Sequence, residues 1–484
     1  MRKTPLVAFL TGAATVFGFA PFELFPLPLL TLGLLFHLWR RAGSPRQAAW
    51  QGFAWGMGCF LAGVSWVYVS LHDVGGMAMP LAAAATLLFC VWLALFPALA
   101  GYLFRRAATA DFADLPLAAG LWTLTEWLRG WLLTGFPWLA IGYSQAPPSP
   151  LAGFAPIFGV HGLGLIVAFL AAALVFHRCR GWIVVVGVAL VGLGLRDVAW
   201  TQPAGAPLSV SLLQGNIPQS LKWVPEHLQL SLETYARLAD EHPAQLTVLP
   251  ETAVPLFYDQ IPRDFLRRLT RHGDAMLGGV TRHGVGYNNA ALTLSPDGIV
   301  QTYAKVHLVP FGEFVPPGFA WFFGLVNIPM SDFSAGAPNQ PPLVVAGQRL
   351  MPNICYEDLF GEALLPALPR ATLLVNLSNT AWFGDSLAQP QHLQIARLRA
   401  LETGRTILRA TNTGMTAAIA PDGRVTAVLP PFTTGALKVS AQGFSGLTPF
   451  ARVGNALAVS LACLAVAIAV ARRRVNGRGG ANVN

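Results

Sequence analysis

The chain alternates between long apolar stretches and one long segment of shorter apolar runs. An apolar stretch of about 18 or more residues is long enough to cross a bilayer as a helix. By this criterion the sequence predicts a membrane domain with seven spans over 1–200, and a last span with its tail over 445–484. The eight predicted spans lie near 4–21, 23–39, 50–71, 77–104, 115–133, 151–176, 181–197 and 452–471.

Residues 205–440 have a different pattern, in which short apolar runs are separated by turns. The dipeptides Asp297-Gly298 and Asp422-Gly423 each predict a hairpin turn between two apolar runs. Strands that alternate with helices, together with hairpins, predict one α/β layered domain of about 230 residues. Strands are expected near 208–213, 246–249, 275–280 and 373–376, and helices near 225–240, 262–272 and 389–403.

Composition and charge agree with a membrane protein. The sequence is 54% hydrophobic and 11% charged, whereas charged residues make up about 25% of soluble domains. The net charge of +9 comes from basic residues beside the spans, so it gives no reason to expect nucleic acid. If the chain crosses eight times, these basic loops share one side, which is the cytoplasmic side. Both termini are then cytoplasmic, and 205–440 lies outside the cytoplasm.

Cys355 is the one cysteine of the polar segment. The others, Cys59, Cys90, Cys179 and Cys463, lie in or beside the apolar stretches. A lone thiol at the end of an apolar run, followed by acidic residues, is a candidate nucleophile. The competing interpretation is a small buried hydrophobic residue without a chemical role.

Two further polar residues stand at the ends of predicted strands, where α/β folds gather catalytic groups. Glu251 follows the run 246–249, and Lys305 ends the second strand of the first hairpin. The carboxylate can accept the thiol proton, and the ammonium can stabilise the thiolate and then an oxyanion. A solvated glutamate and a surface lysine are the alternatives. Lysine is rare in this chain, however, at positions 3, 222, 305 and 438, with arginine at the other basic positions.

The order of these three residues resembles that of the carbon–nitrogen hydrolase (nitrilase) superfamily over 206–440. With the flanking spans, the whole chain resembles the apolipoprotein N-acyltransferase family. The motifs that carry the resemblance are Leu249-Pro250-Glu251, Tyr303-Ala304-Lys305, Asn353-Ile354-Cys355, Leu213-Gln214-Gly215-Asn216, Ala381-Trp382-Phe383-Gly384, Glu126-Trp127-Leu128-Arg129-Gly130 and Thr134-Gly135-Phe136-Pro137-Trp138.

The resemblance implies a polytopic α-helical membrane protein that carries an extracytoplasmic nitrilase-like α-β-β-α sandwich. Cys355 would receive an acyl chain from a phospholipid, with phosphatidylethanolamine as the expected donor, and hold it as a thioester. The acceptor would be the α-amino group of the N-terminal diacylglyceryl-cysteine of an apolipoprotein. Glu251 would be the base and Lys305 the oxyanion stabiliser. The resemblance also assigns Glu313, Tyr356 and Glu357 to the active-site surroundings and Trp223 and Trp382 to the substrate site.

No cofactor and no metal is expected from this resemblance. The expected partners are the two substrates and the lipid bilayer. We expect a monomer in the inner membrane of a bacterium, with the catalytic domain in the periplasm.

An aromatic loop at 316–326 suggests a lipid contact independently of the resemblance. Trp321 and Phe323 would bind substrate if this loop dips into the bilayer interface and admits an acyl chain. The alternative is a loop that packs on the core of its own domain.

Glu126 and Arg129 are charged residues within a predicted span. Their spacing of three places them on one helix face, where they can pair. Charged residues inside a span usually face a cavity or the protein interior. They would orient a lipid head group or neutralise each other, and the sequence leaves both interpretations open.

Two other functions use the same features. A membrane-bound amidase or nitrilase would hydrolyse a small amide with the same three residues, but eight spans are an excessive anchor for a soluble substrate. A transporter would use a degenerate nitrilase-like domain for binding. The spans, however, contain few ionisable residues and no pair of interrupted helices in corresponding halves, which are the usual signs of a transport site.

The charge pattern predicts a membrane topology, which reporter fusions can test. A reporter that is active in the periplasm alone should give signal when fused after residue 200 and none when fused after Arg474. The reverse pattern would place the polar segment in the cytoplasm and remove the lipoprotein substrate.

Overall fold

The computed structural model describes residues 4–109, 112–177, 179–222, 225–284, 286–298, 300–316, 318 and 332–479. The chain folds as two units. The first comprises residues up to 67, residues 80–198 and residues from 453 onward. The second comprises 68–79 and 199–452.

Helices make up the first unit, and one lies in each of the eight places where the sequence predicts a span. In the described residues, three helices are long and apolar enough to cross a membrane: Met79–Ala107, Pro150–His177 and Ala456–Arg473. The count is four if the bent pair Pro45–Val64 and Val67–Val74 forms one span. Eight crossings therefore remain a prediction. The helices are α1 Thr4–Thr15, α2 Leu27–Arg41, α3 Pro45–Val64, α4 Met79–Ala107, α5 Asp114–Arg129, α6 Ala155–His177, α7 Cys179–Leu195 and, after the second unit, α14 Ala456–Gly479.

Small residues bring α1 and α3 into close contact. A Cβ atom on Gly12 would lie 1.9 Å from the Trp55 carbonyl oxygen, and one on Gly58 would lie 1.9 Å from that of Phe9. Neither position can therefore carry a side chain without separating the helices. Close backbone approach at small residues is typical of helix pairs in membranes.

Glu126 and Arg129, at the end of α5, bind the backbone of the segment that follows. Arg129 Nη1 donates to the carbonyl oxygens of Phe136 (2.8 Å) and Trp138 (2.6 Å). Glu126 Oε1 accepts from the Ile141 amide at 2.8 Å, and the two charged groups are 3.8 Å apart. Both side chains are buried. These contacts favour a structural role, in which the pair neutralises itself and satisfies the backbone polar groups of a buried turn.

In the described residues, the second unit contains two six-stranded sheets and a short two-stranded ladder. Its strands are β1 Gln202–Pro203, β2 Leu208–Gln214, β3 Leu246–Val248, β4 Asp274–His283, β5 Gly286–Leu294, β6 Val300–Ala304, β7 Leu343–Val345, β8 Gln348–Ile354, β9 Leu373–Ser378, β10 Thr406–Thr411, β11 Ala417–Ile419, β12 Val425–Val428, β13 Gly435–Ala441 and β14 Phe444–Ser445. Its helices are α8 Gln219–Lys222, α9 Pro225–Glu241, α10 Arg263–Leu269, α11 Gly361–Leu364, α12 Ala388–Thr403 and α13 Pro449–Val453.

The first sheet has the strand order β13-β2-β3-β4-β5-β6, and the second has β12-β11-β10-β9-β8-β7. Val210 and Leu212 of the first sheet share one apolar core with Leu350 of the second. Helices α9 and α10 cover the other face of the first sheet in a core that includes Leu213, and α12 packs on the second sheet through Leu393. The predicted α-β-β-α sandwich is therefore present.

Both predicted hairpins form. Gly298 and Gly423 have φ of 81° and 75°, and each donates its amide to the carbonyl three residues earlier, at Ser295 and Ala420. Glycine suits both turns because it reaches positive φ without steric cost. The helix predicted over 262–272 is shorter than expected, since the chain leaves helical geometry at Thr270 (φ −95°, ψ 7°).

The central strands of each sheet run parallel: β2, β3 and β4 in the first, and β8, β9 and β10 in the second. Parallel strands buried on both faces read as continuous apolar runs, as β9 does. Their carboxyl ends point the same way within each sheet. Glu251 follows β3, Cys355 follows β8 and Asn379 follows β9, so the topology collects these residues at strand ends.

The buried ion pair of α5 predicts a cost for losing its cation. Arg129→Met should lower the free energy of unfolding by about 2–5 kcal/mol, because two carbonyls lose their donor and Glu126 is left unpaired. Arg46→Met is the matched control, since Arg46 is exposed and should change stability little. Thermal unfolding in detergent measures both. Equal melting temperatures for the two variants would refute the structural role.

Candidate active site

Glu251 is held at three of its atoms. Its Oε1 accepts from Asn289 Nδ2 on β5 at 2.8 Å, and its Oε2 accepts from the Asn379 amide at 2.8 Å. Its main-chain oxygen accepts from Lys222 Nζ at 3.3 Å. The next residue, Thr252, has φ of 47°, so the backbone turns sharply after the carboxylate. The side chain is buried, and its position is fixed by contacts from both sheets.

Lys305 directly follows β6 and is 1% exposed. Its ammonium lies 2.8 Å from Glu313 Oε2 and 3.4 Å from Glu251 Oε1. Burial by itself would lower the pKa of Lys305, but Glu313 and Glu251 raise it above its ordinary value. Glu313 also accepts from Asn289 Nδ2 at 2.7 Å and from the Val309 amide at 2.8 Å. Lys305 is therefore a permanent cation shared by two carboxylates.

Burial would raise the pKa of Glu251, but Lys305 and the donors from Asn289 and Asn379 hold it below its ordinary value. This carboxylate is therefore ionised at neutral pH and able to accept a proton. The asparagine donors fix its orientation, because each of its oxygens already has a partner.

Cys355 lies where β8 ends and a 3-10 turn, Cys355–Leu359, begins. Its φ of 54° is unusual for a residue with a side chain, and such backbone strain is concentrated at functional sites. Burial raises the pKa of its thiol well above the ordinary value, and the charge of Glu251 raises it further against the opposing effect of Lys305. The resting group is a neutral thiol. Attack on a carbonyl therefore requires a base that removes the proton as the bond forms.

Glu357 connects the backbone around Lys305 to the turn that carries Cys355. Its carboxylate accepts from the Ile354 amide (2.7 Å), the Val306 amide (2.7 Å) and Tyr303 Oη (3.0 Å). Burial raises its pKa, although Lys305 and the amide donors oppose the rise. Glu357 therefore acts through the residues that it holds.

A second buried network contacts the turn Cys355–Leu359. Arg409 Nη1 donates to Asp358 Oδ2 (3.1 Å), and Arg409 Nη2 is 2.8 Å from His392 Nδ1. His392 Nε2 is 2.8 Å from Asp358 Oδ1. Burial and the charge of Arg409 lower the pKa of His392, so the ring is neutral and donates from Nε2 to the carboxylate. Asn376 Nδ2 donates to the Cys355 carbonyl oxygen at 3.3 Å, and Asn376 Oδ1 accepts from Arg409 Nη1 at 2.9 Å, which ties the network to the turn.

The structure describes two of the remaining predicted site residues, Tyr356 and Trp382. Tyr356 is buried, with its ring 5.8 Å from His307 and 5.2 Å from Phe360. Trp382 lies in a 3-10 turn after β9, and its carbonyl oxygen accepts from Ser70 Oγ at 2.7 Å. Trp223, Trp321 and Phe323, with most of the loop 316–326, lie outside the described residues.

Sequence reasoning missed three polar residues that contact Glu251: Asn289, Asn379 and Lys222. Asparagine is depleted in strands, so Asn289 within a run of small and apolar residues was a signal. Asn379 follows a predicted strand directly, as Glu251 and Cys355 do. In the part of the chain that the structure describes, no group of three or more His, Cys, Asp or Glu side chains is placed to hold a metal ion.

A thiol, an ionised carboxylate and a buried ammonium are the groups needed to form and break a thioester. Residues 209–442 match the family model for carbon-nitrogen hydrolase, so the second unit is a domain of that superfamily. Residues 11–173 match the model for the apolipoprotein N-acyltransferase N-terminal domain. The chain is 52% identical to the apolipoprotein N-acyltransferase of Nitrosomonas europaea, over 94% of this chain and 95% of the relative. It is 48% identical to that of Chromobacterium violaceum, over 95% and 91%. The chain belongs to the apolipoprotein N-acyltransferase family.

Solved structures match about half of this chain at lower identity. An amidase from Nesterenkonia sp. is 23% identical, with a TM-score of 0.38, over 49% of this chain and 92% of the amidase. The NitFhit protein of C. elegans is 19% identical, with a TM-score of 0.40, over 49% and 61%.

A pair of adjacent glycines on β4 tests how strictly Glu251 must be placed. A Cβ on Gly278 would lie 2.5 Å from Glu251 Cα, whereas one on Gly279 would meet the flexible ends of Leu277 and Leu292 at 3.2 Å. Gly278→Ala should therefore lower the free energy of unfolding by about 1–3 kcal/mol and displace the carboxylate. Gly279→Ala should cost less.

Thermal unfolding measures the stability of each variant. Mass spectrometry measures the acetyl group that Cys355 gains during treatment with p-nitrophenyl acetate, a water-soluble activated ester. Gly278→Ala should slow acetylation more than Gly279→Ala. Equal rates in the two variants would show that the position of Glu251 does not limit the reaction.

Proposed function

We propose that this protein transfers an acyl chain from a phospholipid, through a thioester on Cys355, to the α-amino group of the N-terminal diacylglyceryl-cysteine of apolipoproteins. Phosphatidylethanolamine is the expected donor. The observation that carries the proposal is the buried contact of Glu251 with Lys305, beside the strained turn of Cys355, in a chain of the N-acyltransferase family.

In the first half-reaction, the Cys355 sulfur attacks the ester carbonyl while Glu251 accepts the thiol proton. The carbonyl oxygen gains a negative charge, which Lys305 stabilises. The ester C–O bond then breaks, and the leaving alkoxide of the lysophospholipid takes the proton from Glu251. This leaves a thioester on Cys355 and an ionised Glu251.

In the second half-reaction, the amine of the lipoprotein attacks the thioester, and Glu251 accepts a proton from the attacking nitrogen. The C–S bond breaks, and the thiolate takes that proton as it leaves. An amide has formed, and the enzyme has returned to its resting protonation state. The high pKa of the thiol favours this state, because it makes the neutral thiol the stable form.

The supporting residues act through these three groups. Glu313 pairs with Lys305 and keeps it charged, and Glu357 fixes the backbone on both sides of the site. Tyr356 borders the nucleophile. Trp223, Trp382, Trp321 and Phe323 are proposed to contact the lipid substrates.

The cellular setting that fits this reaction is the inner membrane of a bacterium. We propose a monomer with a membrane domain over 1–200, a periplasmic catalytic domain over 205–440, a last span with tail over 445–484, and both termini in the cytoplasm. Membership of the N-acyltransferase family does not favour the amidase and transporter alternatives.

Cys355→Ala should abolish transfer without loss of folding, because the thiol forms the intermediate. After incubation with phosphatidylethanolamine, the wild-type protein should gain the mass of one fatty acyl group on Cys355, and an S-diacylglyceryl peptide with a free amino terminus should remove it. Cys463→Ala is the matched control, since Cys463 is exposed on α14.

Glu251→Gln separates the chemistry from the fold in the same assay. The amide keeps the shape of the side chain but cannot accept the thiol proton, so no acyl adduct should form at an unchanged melting temperature. Full transfer by Cys355→Ala would refute the nucleophile, and normal acylation of Glu251→Gln would refute the base.

A further inference from the structure

Lys222 is a buried lysine beside the catalytic carboxylate for which the mechanism has no role. It ends α8, the short helix that follows β2, and it is 3% exposed. Lysine is almost never buried this fully without a partner, because an ammonium loses its hydration on leaving water. Among the described residues, the single hydrogen-bond acceptor of Lys222 Nζ is the Glu251 main-chain oxygen, at 3.3 Å. A neutral side chain would fill this position at lower cost.

Helix α8 contacts Glu251 through two routes. Lys222 binds the main-chain oxygen. At the other end of the helix, Gln219 Oε1 accepts from Asn379 Nδ2 at 2.7 Å, and the Asn379 amide donates to Glu251 Oε2 at 2.8 Å. One short helix therefore reaches both the backbone and the carboxylate of Glu251, immediately before the sharp turn at Thr252.

The charges around Glu251 explain why a second cation is useful. Lys305 contacts two carboxylates, Glu251 and Glu313, so these three residues carry a net charge of −1 when ionised. When the neighbouring thiol of Cys355 passes its proton to Glu251, negative charge moves from the carboxylate to the sulfur, and the net charge of the cluster stays the same. Lys222 brings the resting cluster to zero. The remaining groups that face Glu251, the side chain of Asn289 and the amide of Asn379, are neutral donors.

We propose that Lys222 is a positioning residue of the active site, which holds the Glu251 turn by its main-chain oxygen and keeps the Glu251 carboxylate ionised. The proposal rests on the role of Glu251 as base. Burial lowers the pKa of Lys222 to about 8, while Glu251 and Cys355 act to raise it, so the ammonium is largely protonated at neutral pH. Its charge in turn contributes to lowering the pKa of Glu251, after the larger effects of Lys305, Asn289 and Asn379.

Loss of the Lys222 charge should shift the pH dependence of the reaction in one direction. Removing the cation raises the pKa of Glu251, so the base becomes protonated at a higher pH than in the wild type. The rate is then lost at the low-pH end and recovers as the pH rises. A residue that merely fills space would lower the rate equally at every pH.

The experiment compares Lys222→Met, which removes the charge at similar volume, with Lys222→Arg, which keeps it. The readout is the rate at which p-nitrophenyl acetate acetylates Cys355, followed by intact mass in detergent between about pH 3 and pH 9. The range extends below the ordinary pKa of a glutamate because the pKa of Glu251 is lowered, which places the wild-type midpoint there. Lys222→Met should be about tenfold slower than wild type at the low-pH end and approach it at the high-pH end. Lys222→Arg should keep the wild-type pH midpoint, whatever its rate.

Two results would overturn the proposal: an unchanged pH midpoint in Lys222→Met, or a loss that is uniform with pH and accompanied by a lower melting temperature. Glu251→Gln is the control that separates this proposal from the proposed function. It should abolish the pH-dependent phase, and if it keeps that phase, both the base and the role of Lys222 are refuted. Failure to transfer lipid would leave this measurement intact, because the ester is water-soluble.

Discussion

The active site depends on one buried ammonium that is shared by two carboxylates. Lys305 cannot leave this position without exposing Glu251 and Glu313 to each other in a region from which water is excluded. Breaking a buried pair by removing one partner costs about 3–5 kcal/mol, so losing any one of the three charges would destabilise the other two. The same contact supports the proposed chemistry, because it keeps Glu251 ionised, as a base must be, while Lys305 remains charged. The fold and the proposed reactivity therefore depend on the same contact.

Cys355, the proposed nucleophile, is held by a separate set of buried polar groups. Arg409, Asp358 and His392 are hydrogen-bonded to one another. Asn376 accepts from Arg409 and donates to the Cys355 carbonyl oxygen, so it connects this set to the Cys355 backbone. A backbone with positive φ persists where its surroundings over-determine it. Glu357 hydrogen-bonds the backbone beside Lys305 and the backbone beside Cys355, and the Asn379 amide links Glu251 to the second sheet. The geometry between Glu251 and Cys355 thus depends on how the two sheets pack.

The sequence predicted the strands and the three central polar residues better than it predicted the residues that hold them in place. Apolar runs located the strands, because buried parallel strands are continuously apolar, and Asp-Gly pairs located the hairpins. The polar residues that end those runs, Glu251, Lys305 and Cys355, were visible for the same reason. Asn289 and Lys222 were not identified as site residues, since their shared partner Glu251 lies 38 and 29 residues away along the chain and the local sequence does not show these contacts. The number of membrane crossings also stays a prediction, because several helices at predicted places are shorter than a bilayer requires.

The hydrogen bond from Ser70 to the carbonyl oxygen of Trp382 shows that the second unit is not built from one continuous stretch of sequence. Segment 68–79 lies in the sequence between two helices of the first unit, yet it packs within the second unit. Gly384, two residues after Trp382, has φ of 57° and lies so close that its Cβ would be 3.0 Å from Val69. The gene segment that specifies the hydrolase-like domain is therefore not the complete folding unit. A fragment made from 205–440 alone would lack residues 68–79, which pack against it in the complete protein.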